Sequence, residues 1–279
     1  MAITNFIPTI WSENLYRSLD RQYIAAANSN REFEGEIKNC GSVVKICGVG
    51  AVTVNDYTKN IDMSTPQELS DTVTELRIDQ AKYFNFQIDD VDKAQATPKL
   101  MDAAMNVAAN ALANEADKYI LSICEETNQM VSSNDPIDAS NILDYILKAR
   151  EMLYNSGVSD STEVVLEVSP AIASVILKAK IDLASNNNDA VENGYLGSIG
   201  GCKIYVSHNI KTTPITGGKL NHICIMRTKR AVAFAEQLSE IEAYRPEKRF
   251  ADAVKGLHLY GARAIYLNEI VLLNLNTSI

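Results

Sequence analysis

The chain has 279 residues, 46% hydrophobic and 22% charged, which is typical of a folded globular protein with one large or two smaller cores. Its 35 acidic and 26 basic residues give a net charge of -9, the wrong sign for a protein that grips nucleic acid by neutralising phosphates. No apolar run reaches the roughly 18 residues of a membrane span, and Met1 to Leu19 lacks the pattern of a signal peptide, so we expect a protein that stays in the cytoplasm where it is made.

The cysteines and histidines predict neither disulfides nor a metal centre. Five cysteines are scattered without a C-x-x-C pair, which is typical of reduced thiols in a reducing compartment. His222 and Cys224 can share one face of a strand, but two ligands without partners do not make a zinc site. We therefore expect no metal and no cofactor.

The N-terminus begins with an extended stretch, Ile3 to Ile10, followed by a short helical pattern carried by Trp11, Leu15, Leu19 and Tyr23. An apolar terminal arm of this kind packs either on its own body or on a neighbouring molecule. We favour the neighbouring molecule.

The next sixty or so residues alternate with period two, as β-strands do. Ser42 to Val54 is rich in β-branched residues, and we interpret it as two strands joined or bent at Gly48 and Gly50. Further strands are predicted at Thr72 to Asp79 and Tyr83 to Ile88. Because the first part of this region has few large apolar side chains, it cannot form a strong core alone and needs a surface to lie on.

Motifs for nucleotide binding and hydrolysis fail on their context. Gly48 and Gly50 follow a strand, but Thr53 stands where a dinucleotide fingerprint requires Gly or Ala, and no helix start follows. A Walker A loop and an H-E-x-x-H motif are absent from the sequence, and Gly197 to Gly200 misses the G-x-S-x-G spacing by one residue. Nothing in the sequence indicates an enzyme.

A single long helix is predicted from Thr97 to about Thr127. Thr97 is a suitable N-cap and Pro98 a suitable first helical residue. Such a helix would be about 45 Å long, which suggests a strut across the molecule. Its apolar stripe is formed by Met101, Met105, Ala108, Leu112, Ala116, Tyr119 and Ile123.

The following block has the pattern of an α/β layer. Asn186 to Gly201 is polar and glycine-rich, and a loop of that length usually has a function or an external partner. The predicted elements are a helix from about Ser140 to Asn155, a strand from Glu163 to Val168, a helix from Ser169-Pro170 to about Leu183, and strands at Lys203 to Ser207 and His222 to Met226.

Three β-type runs complete the chain: Ala231 to Tyr244, Phe250 to Tyr260 and Ala262 to Asn276. A turn at Arg245-Pro246-Glu247 separates the first two, and we place further interruptions at Gly256 and Gly261. We expect these strands to return beneath the long helix and then to finish in the α/β layer.

This order of parts resembles the major capsid proteins of tailed phages, which have the Hong Kong ninety-seven fold. The resemblance implies an α+β protein with an N-terminal arm, an extended β-hairpin loop, a peripheral domain with a long spine helix, and an axial α/β domain. The stretches that carry it are Tyr83 to Asp92, Glu167 to Pro170, Gly197 to Asn209 and Arg245 to Ala264.

The resemblance also implies domain boundaries. They are an arm at 1–32, the hairpin loop at 33–82, the peripheral domain with its spine helix at 83–136, the axial domain at 137–230, peripheral strands at 231–261, and C-terminal strands returning to the axial domain at 262–279.

The function implied is self-assembly, through hexamers and pentamers, into an icosahedral shell that encloses double-stranded DNA without sequence-specific binding. The protein would belong to the virion capsid, assembled in the host bacterial cytoplasm, with no membrane partner. Because the hairpin begins by about Phe33, the sequence leaves no room for the long N-terminal scaffolding segment of some family members. Scaffolding would then come from another protein or from a segment cleaved before Met1, and the initiator methionine disfavours cleavage. A separate scaffolding protein and a portal are therefore the expected partners.

Mutual burial between subunits would be the mechanism, with contacts from the arm, the hairpin and the axial loop. The candidate interface residues are Trp11, Arg17, Arg21, Gly48, Gly50, Tyr57, Arg77, Asn187, Tyr195, Arg245, Lys248 and Arg249. One alternative is an encapsulin, a bacterial compartment of the same fold that encloses protein cargo. A more remote one is an α/β enzyme that uses the 186–201 loop as a lid.

Overall fold

The computed structural model of the chain describes residues 22–33, 43–49, 71–89, 100–133, 135–158, 162–179, 195–215, 219–248 and 250–277, with single positions at 15, 18, 19, 54, 56, 59 and 62. The helices are α1 (Leu100–Cys124), α2 (Ile142–Asn155) and α3 (Pro170–Lys178). The strands are β1 (Val43–Val49), β2 (Asp71–Arg77), β3 (Gln80–Asp89), β4 (Met130–Ser132), β5 (Val164–Val168), β6 (Tyr195–Ile199), β7 (Cys202–Val206), β8 (Thr212–Ile215), β9 (Lys219–Thr228), β10 (Val232–Tyr244), β11 (Ala251–Ala264) and β12 (Ile270–Thr277).

The predicted long helix is confirmed as α1, which has 25 residues and a length of about 37 Å. Met105, Leu112 and Ala116 of the predicted apolar stripe are buried, whereas Tyr119 is half-buried. The proposed cap at Thr97 and Pro98 lies outside the described residues. The apolar face of α1 forms one side of the molecule's first core.

Beneath α1 lies an antiparallel three-stranded sheet in the order β10-β11-β3. Val254 and Tyr260 of β11 and Phe234 of β10 pack with α1 side chains in this core. The strands therefore return beneath the long helix, as the periodicity predicted. Gly261 does not end a strand, however, because β11 continues through both Gly256 and Gly261 to Ala264.

The α/β layer is a mixed seven-stranded sheet in the order β4-β12-β9-β5-β7-β6, with β8 paired to β9. Along β12 the side chains alternate between two cores. Val271 and Leu273 pack with α2 and α3, while Ile270 and Leu272 pack with the C-terminal half of α1. This alternation places the sheet between the two helical layers, since successive strand residues point to opposite faces.

Three strands of this sheet were not predicted, and one of them, β6, shows that a predicted loop is wrong in part. β4 has only three residues, and β8 contains a proline, so neither has a strong period-two signal. Residues 195–199 of the predicted 186–201 loop form β6, which pairs with β7 across a turn at Gly200 and Gly201. Both turn glycines have positive φ, which explains the glycine-rich sequence.

Strands β1 and β2 form a separate antiparallel two-stranded sheet. Gly48 does not bend or divide the first strand, since it pairs with Thr72 inside the continuous ladder that runs to Val49 and Asp71. Gly50 lies outside the described residues. The region is therefore a hairpin with β1 as one arm and β2 as the other.

The N-terminal helical pattern packs on its own chain, which corrects the expectation that it lies on a neighbour. Leu15, Leu19 and Tyr23 are fully buried in the same core as α1. Asn30 then pairs with the edge of β10, where its N–H donates to the Val232 carbonyl at 2.9 Å. Trp11, the fourth residue of the pattern, lies outside the described residues.

Candidate assembly surfaces

The β1–β2 hairpin crosses the three-stranded sheet at a point where two backbones nearly touch. A Cβ added at Gly261 in β11 would lie 2.1 Å from the carbonyl oxygen of Arg77, the last residue of β2. No side chain fits in that space, so this crossing requires glycine. Val44 and Leu76 of the hairpin pack against Leu259 beside it. The base of the hairpin is thus fixed by its own chain.

The hairpin exposes apolar and charged side chains on its solvent side, at its base and beyond it. Val43 and Val73 are 43% and 46% exposed. Arg77, a predicted interface residue, donates a hydrogen bond to Glu75 at 2.8 Å on the solvent side. That hydrogen bond, with the charge of the guanidinium, lowers the pKa of Glu75. Because the pair is exposed, it contributes little to stability within one chain.

The outer face of the three-stranded sheet, opposite α1, is only partly covered by the hairpin base. Tyr83 of β3 and Leu257 of β11 are direct cross-strand partners on this face, and they are 78% and 37% exposed. Phe250, which immediately precedes β11, is 82% exposed. Tyr83 and Leu257 thus leave an apolar pair exposed on this face of the sheet.

Residues 22–33, here called the N-terminal segment, are held by buried polar groups of the body. The Asp117 carboxylate on α1 accepts the backbone N–H of Ile24 at 2.9 Å and that of Ala26 at 3.0 Å. Burial raises the pKa of Asp117 to about 6, against the lowering effect of these hydrogen bonds. The segment is therefore attached to the middle of the long helix.

Arg227 of β9 joins the same segment to the seven-stranded sheet. Its guanidinium donates to the carbonyl oxygens of Ala25 at 2.9 Å and Asn28 at 2.8 Å. It also forms an ion pair with Glu167 of β5 at 2.9 Å, and both side chains are 0% exposed. Removing one partner of such a pair leaves an uncompensated buried charge. Arg227 thus connects the N-terminal segment, β5 and β9 at one buried point.

A second buried cluster surrounds Glu236 of β10. Its carboxylate accepts hydrogen bonds from the Tyr23 hydroxyl and the Arg31 guanidinium, and His258 Nε2 lies 2.9 Å away. Burial alone would raise the pKa of Glu236, but the contacts with His258, Tyr23 and Arg31 hold it below its ordinary value. Burial and the Glu236 carboxylate raise the pKa of Tyr23. This cluster ties both ends of the N-terminal segment to the three-stranded sheet.

The predicted interface residues do not converge on one site within the chain. Tyr195 lies in β6, half-buried, with its ring centroid 5.4 Å from that of Tyr205. Arg245 and Lys248 are exposed in the connection between β10 and β11. Gly48 lies in β1 and Arg77 at the end of β2. The predicted residues outside the described part of the chain are Trp11, Arg17, Arg21, Gly50, Tyr57, Asn187 and Arg249.

Sequence reasoning missed Arg227, Glu167, Asp117 and Glu236, although a signal exists for two of them. Arg227 follows the apolar run of β9, and Glu167 lies inside Val164–Val168, whose other members are all buried. A charged residue in a fully buried strand needs a partner of opposite charge. The partners are distant in sequence, so only the fold reveals the pairing.

The described residues contain no group of three or more side chains suited to hold a metal ion. His222 Nε2 lies 3.0 Å from the Thr277 hydroxyl, and Cys224 is a free, buried thiol whose pKa burial raises to about 12. None of the helices among the described residues is long and apolar enough to cross a membrane.

Comparison with known proteins identifies the fold. No family model and no curated protein matches the sequence. Among solved structures, one from Mycobacterium phage Che8 matches with a TM-score of 0.71 and 28% identity over 91% of each chain. The capsid of cyanophage P-SCSP1u matches with 0.67 and 13% identity, covering 90% of this chain and 86% of that one. A virus-like particle from Pyrococcus furiosus matches with 0.57 and 11% identity, covering 94% and 96%.

The chain therefore has the Hong Kong ninety-seven fold of tailed-phage capsid proteins over about 90% of its length. This is the fold of capsid and shell proteins and not that of an enzyme family. The predicted α+β fold class and the resemblance are confirmed. The enzyme alternative with a 186–201 lid is wrong, and residues 195–201 of that stretch form a strand and a tight turn.

Proposed function

We propose that this chain is the major capsid protein of a tailed phage, which assembles through hexamers and pentamers into an icosahedral shell around double-stranded DNA. The observation that supports this most is the agreement of the whole fold with phage capsid structures. The net charge of -9 is compatible with enclosing DNA without sequence-specific binding, because tight binding to phosphates would require an excess of basic residues.

In this proposal, the β1–β2 hairpin of one subunit covers the outer face of its neighbour's three-stranded sheet. A two-stranded hairpin is marginally stable alone in water, and the packing of this one on its own chain, as far as the structure describes it, lies at its base. Tyr83 and Leu257 are the exposed apolar pair that the neighbour's hairpin would bury. Fully burying one large apolar side chain contributes about 1.5–3 kcal/mol.

Two further contacts belong to the proposal. Because Leu15 and Leu19 are buried in their own chain, the residues before them, with Trp11, form the part of the arm that reaches another subunit. The 186–201 segment, with Asn187 and Tyr195, meets its copies at the capsomer axis. The charged residues Arg17, Arg21, Arg77, Arg245, Lys248 and Arg249 fix the register of these contacts, since exposed charges contribute more to specificity than to affinity.

The domain division proposed for this assembly follows the sequence: an arm at 1–32, the hairpin loop at 33–82, the peripheral domain at 83–136, the axial domain at 137–230, peripheral strands at 231–261 and returning strands at 262–279. A separate scaffolding protein and a portal complete the proposed virion, which assembles in the host bacterial cytoplasm. Val43 and Val73, which the hairpin exposes, would become buried in such an assembly.

A second candidate is a compartment shell that encloses protein cargo, as in encapsulins. The match to a virus-like particle from Pyrococcus furiosus supports this second candidate, because that match covers 94% of this chain. Both candidates predict closed shells from many copies, so they differ in the contents of the particle and not in the contacts between subunits.

Negative-stain electron microscopy after gel filtration tests both candidates, on the chain expressed alone and with its neighbouring genes. We expect closed shells or capsomer rings. Nuclease-protected DNA inside the particles supports the phage capsid, whereas a stoichiometric co-purifying protein supports the compartment. A homogeneous small species under every condition would contradict both.

A hairpin deletion tests the proposed mechanism. Removing residues 47–57 should leave a folded monomer that forms no closed shells, because the base contacts of Leu76 and Ile78 remain. Urea unfolding of the purified monomer is the control for folding. Normal particles from the deletion variant would show that the hairpin does not join neighbouring subunits.

A further inference from the structure

Strand β3 is the least covered strand of the three-stranded sheet. It has ten residues, and all of its side chains are half-buried or exposed in strict alternation. Its neighbour β11, by contrast, is buried at most positions. Phe84 and Phe86 lie on the side facing the α1 core, where they stack with ring centroids 5.9 Å apart and remain only partly covered. This strand therefore leaves apolar surface on both of its faces, with two half-buried phenylalanines on one face and the exposed Tyr83 on the other.

The central part of β3, between Lys82 and Asp89, lacks the features that prevent strands from pairing with other chains. Residues 83–88 contain no charge and no proline, and the ladder with β11 runs through ten pairs without a bulge. Natural edge strands are usually protected by charges, prolines, bulges or a covering segment. The opposite edge strand, β10, has two of these protections, because Asn30 pairs with its start and a bulge interrupts it between Leu238 and Glu240. No other described strand pairs with the outer edge of β3.

We infer that β3 pairs antiparallel with β3 of a second copy of this chain, about a two-fold axis at Asn85. The segment Phe84-Asn85-Phe86 reads the same in both directions, so this pairing places Phe84 of one copy opposite Phe86 of the other. Aromatic cross-strand pairs stabilise sheets by about 0.2–1 kcal/mol each. Because residues 83–88 are uncharged, no like charges are brought together at the centre of the pair.

The size of the contact indicates where it acts. Ten residues of strand extend about 33 Å. A stable dimer usually buries about 800 Å² per partner, which is more than a single added strand provides. The β3 pair is therefore weak between free subunits and becomes permanent where other contacts hold the copies together. In this respect the inference rests on the proposed shell-forming function, whereas the register of the pair does not depend on it.

Disulfide trapping tests the pairing and its register. The background carries Cys40→Ser and Cys47→Ser, since the other three cysteines are buried. In this background Asn85→Cys should form a disulfide-linked dimer under mild oxidation, because residues opposite each other in antiparallel strands lie within disulfide distance. Gln87→Cys is the matched control, since it is exposed on the same face but would lie four residues, or about 13 Å, from residue 87 of the other copy.

Mixing two variants gives a second, independent readout. Tyr83→Cys and Gln87→Cys should each remain uncrosslinked alone, yet form a disulfide-linked heterodimer when mixed, because the pairing places residue 83 opposite residue 87 of the partner. Urea unfolding of the reduced proteins verifies that each variant folds. If Asn85→Cys crosslinks no more than Gln87→Cys, in concentrated solution and in assembled particles, the inference is wrong.

The outcomes separate this inference from the proposed function. Particles that form without the Asn85 crosslink would overturn the β3 pairing and leave the shell function standing. A chain that never forms particles but crosslinks specifically at residue 85 in solution would support the pairing and contradict the shell proposal.

Discussion

The buried ion pair between Arg227 and Glu167 gives the sharpest test of how the chain holds its N-terminal segment. Arg227 Nη2 lies 2.9 Å from Glu167 Oε1, and both side chains are 0% exposed. Glu167→Gln removes the negative charge and leaves the guanidinium buried with neutral acceptors only, among them the Ala25 and Asn28 carbonyls. Breaking a buried pair in this way typically costs about 3–5 kcal/mol. We expect a loss of that size in the free energy of unfolding.

An exposed pair of the same length provides the matched control. Lys118 and Glu115 on α1 are also 2.9 Å apart, but their side chains are 55% and 47% exposed. Glu115→Gln should therefore cost less than about 1 kcal/mol. Both variants would be measured by urea unfolding of gel-filtered monomer at neutral pH. A loss for Glu167→Gln within about 1 kcal/mol of the control would refute the claim that burial, and not distance, makes this pair important.

Three further predictions concern single sites. Gly261→Ala should destabilise the monomer by about 1–3 kcal/mol in urea unfolding, because its Cβ meets the backbone of β2, whereas Gly256→Ala meets a movable aromatic ring and should cost less. Because burial raises the pKa of Asp117 to about 6, its contribution to stability is complete below the ordinary value of 3.8 and is lost as the pH rises through 6. The stability advantage of the unsubstituted protein over Asp117→Asn should therefore fall between about pH 4 and pH 7 in urea titrations, and a constant difference would contradict the shift. Ser169→Ala, which removes the N-cap acceptor of α3, should lower the unfolding free energy by about 0.5–2 kcal/mol without affecting particle formation.

The elements that could be predicted from the sequence are those whose periodicity reflects one buried face. The stripe on α1 and the alternation in β2 arise because each element packs on one side only. The order of the elements then indicated the capsid fold. Short elements such as β4 and β8 could not be predicted, because three or four residues do not define a period.

Glycine gave the least reliable local signal. Gly261 was interpreted as an interruption, since glycine is frequent in turns and weakens strands. In the structure it lies inside β11, where the backbone of β2 crosses it. Gly48 likewise lies within the β1 ladder. A glycine in the sequence does not show whether its position is a turn or a place where another backbone crosses, and at Gly261 only the structure shows the crossing.

The buried polar groups could not be found from the sequence because their partners are far apart in the chain. Arg227 and Glu167 are separated by 60 residues, and Tyr23 and Glu236 by 213. For an isolated charged residue, an exposed position is the ordinary expectation. The prediction of candidate residues therefore favoured surface charges and missed the groups that hold the N-terminal segment.

The distribution of these groups explains how a subunit can be stable and still assemble. The N-terminal segment and the hairpin base are held by buried ion pairs and a backbone crossing, and these contacts are complete within one chain. The hairpin above its base, Tyr83 and the edge of β3 are partly uncovered. A contact between copies adds stability only when a partner copy is bound, so the stability that these surfaces contribute rises with protein concentration. Substitutions at Arg227 should therefore lower the stability of the free subunit, whereas substitutions at Tyr83 should change assembly and leave the unfolding free energy of the monomer nearly unchanged.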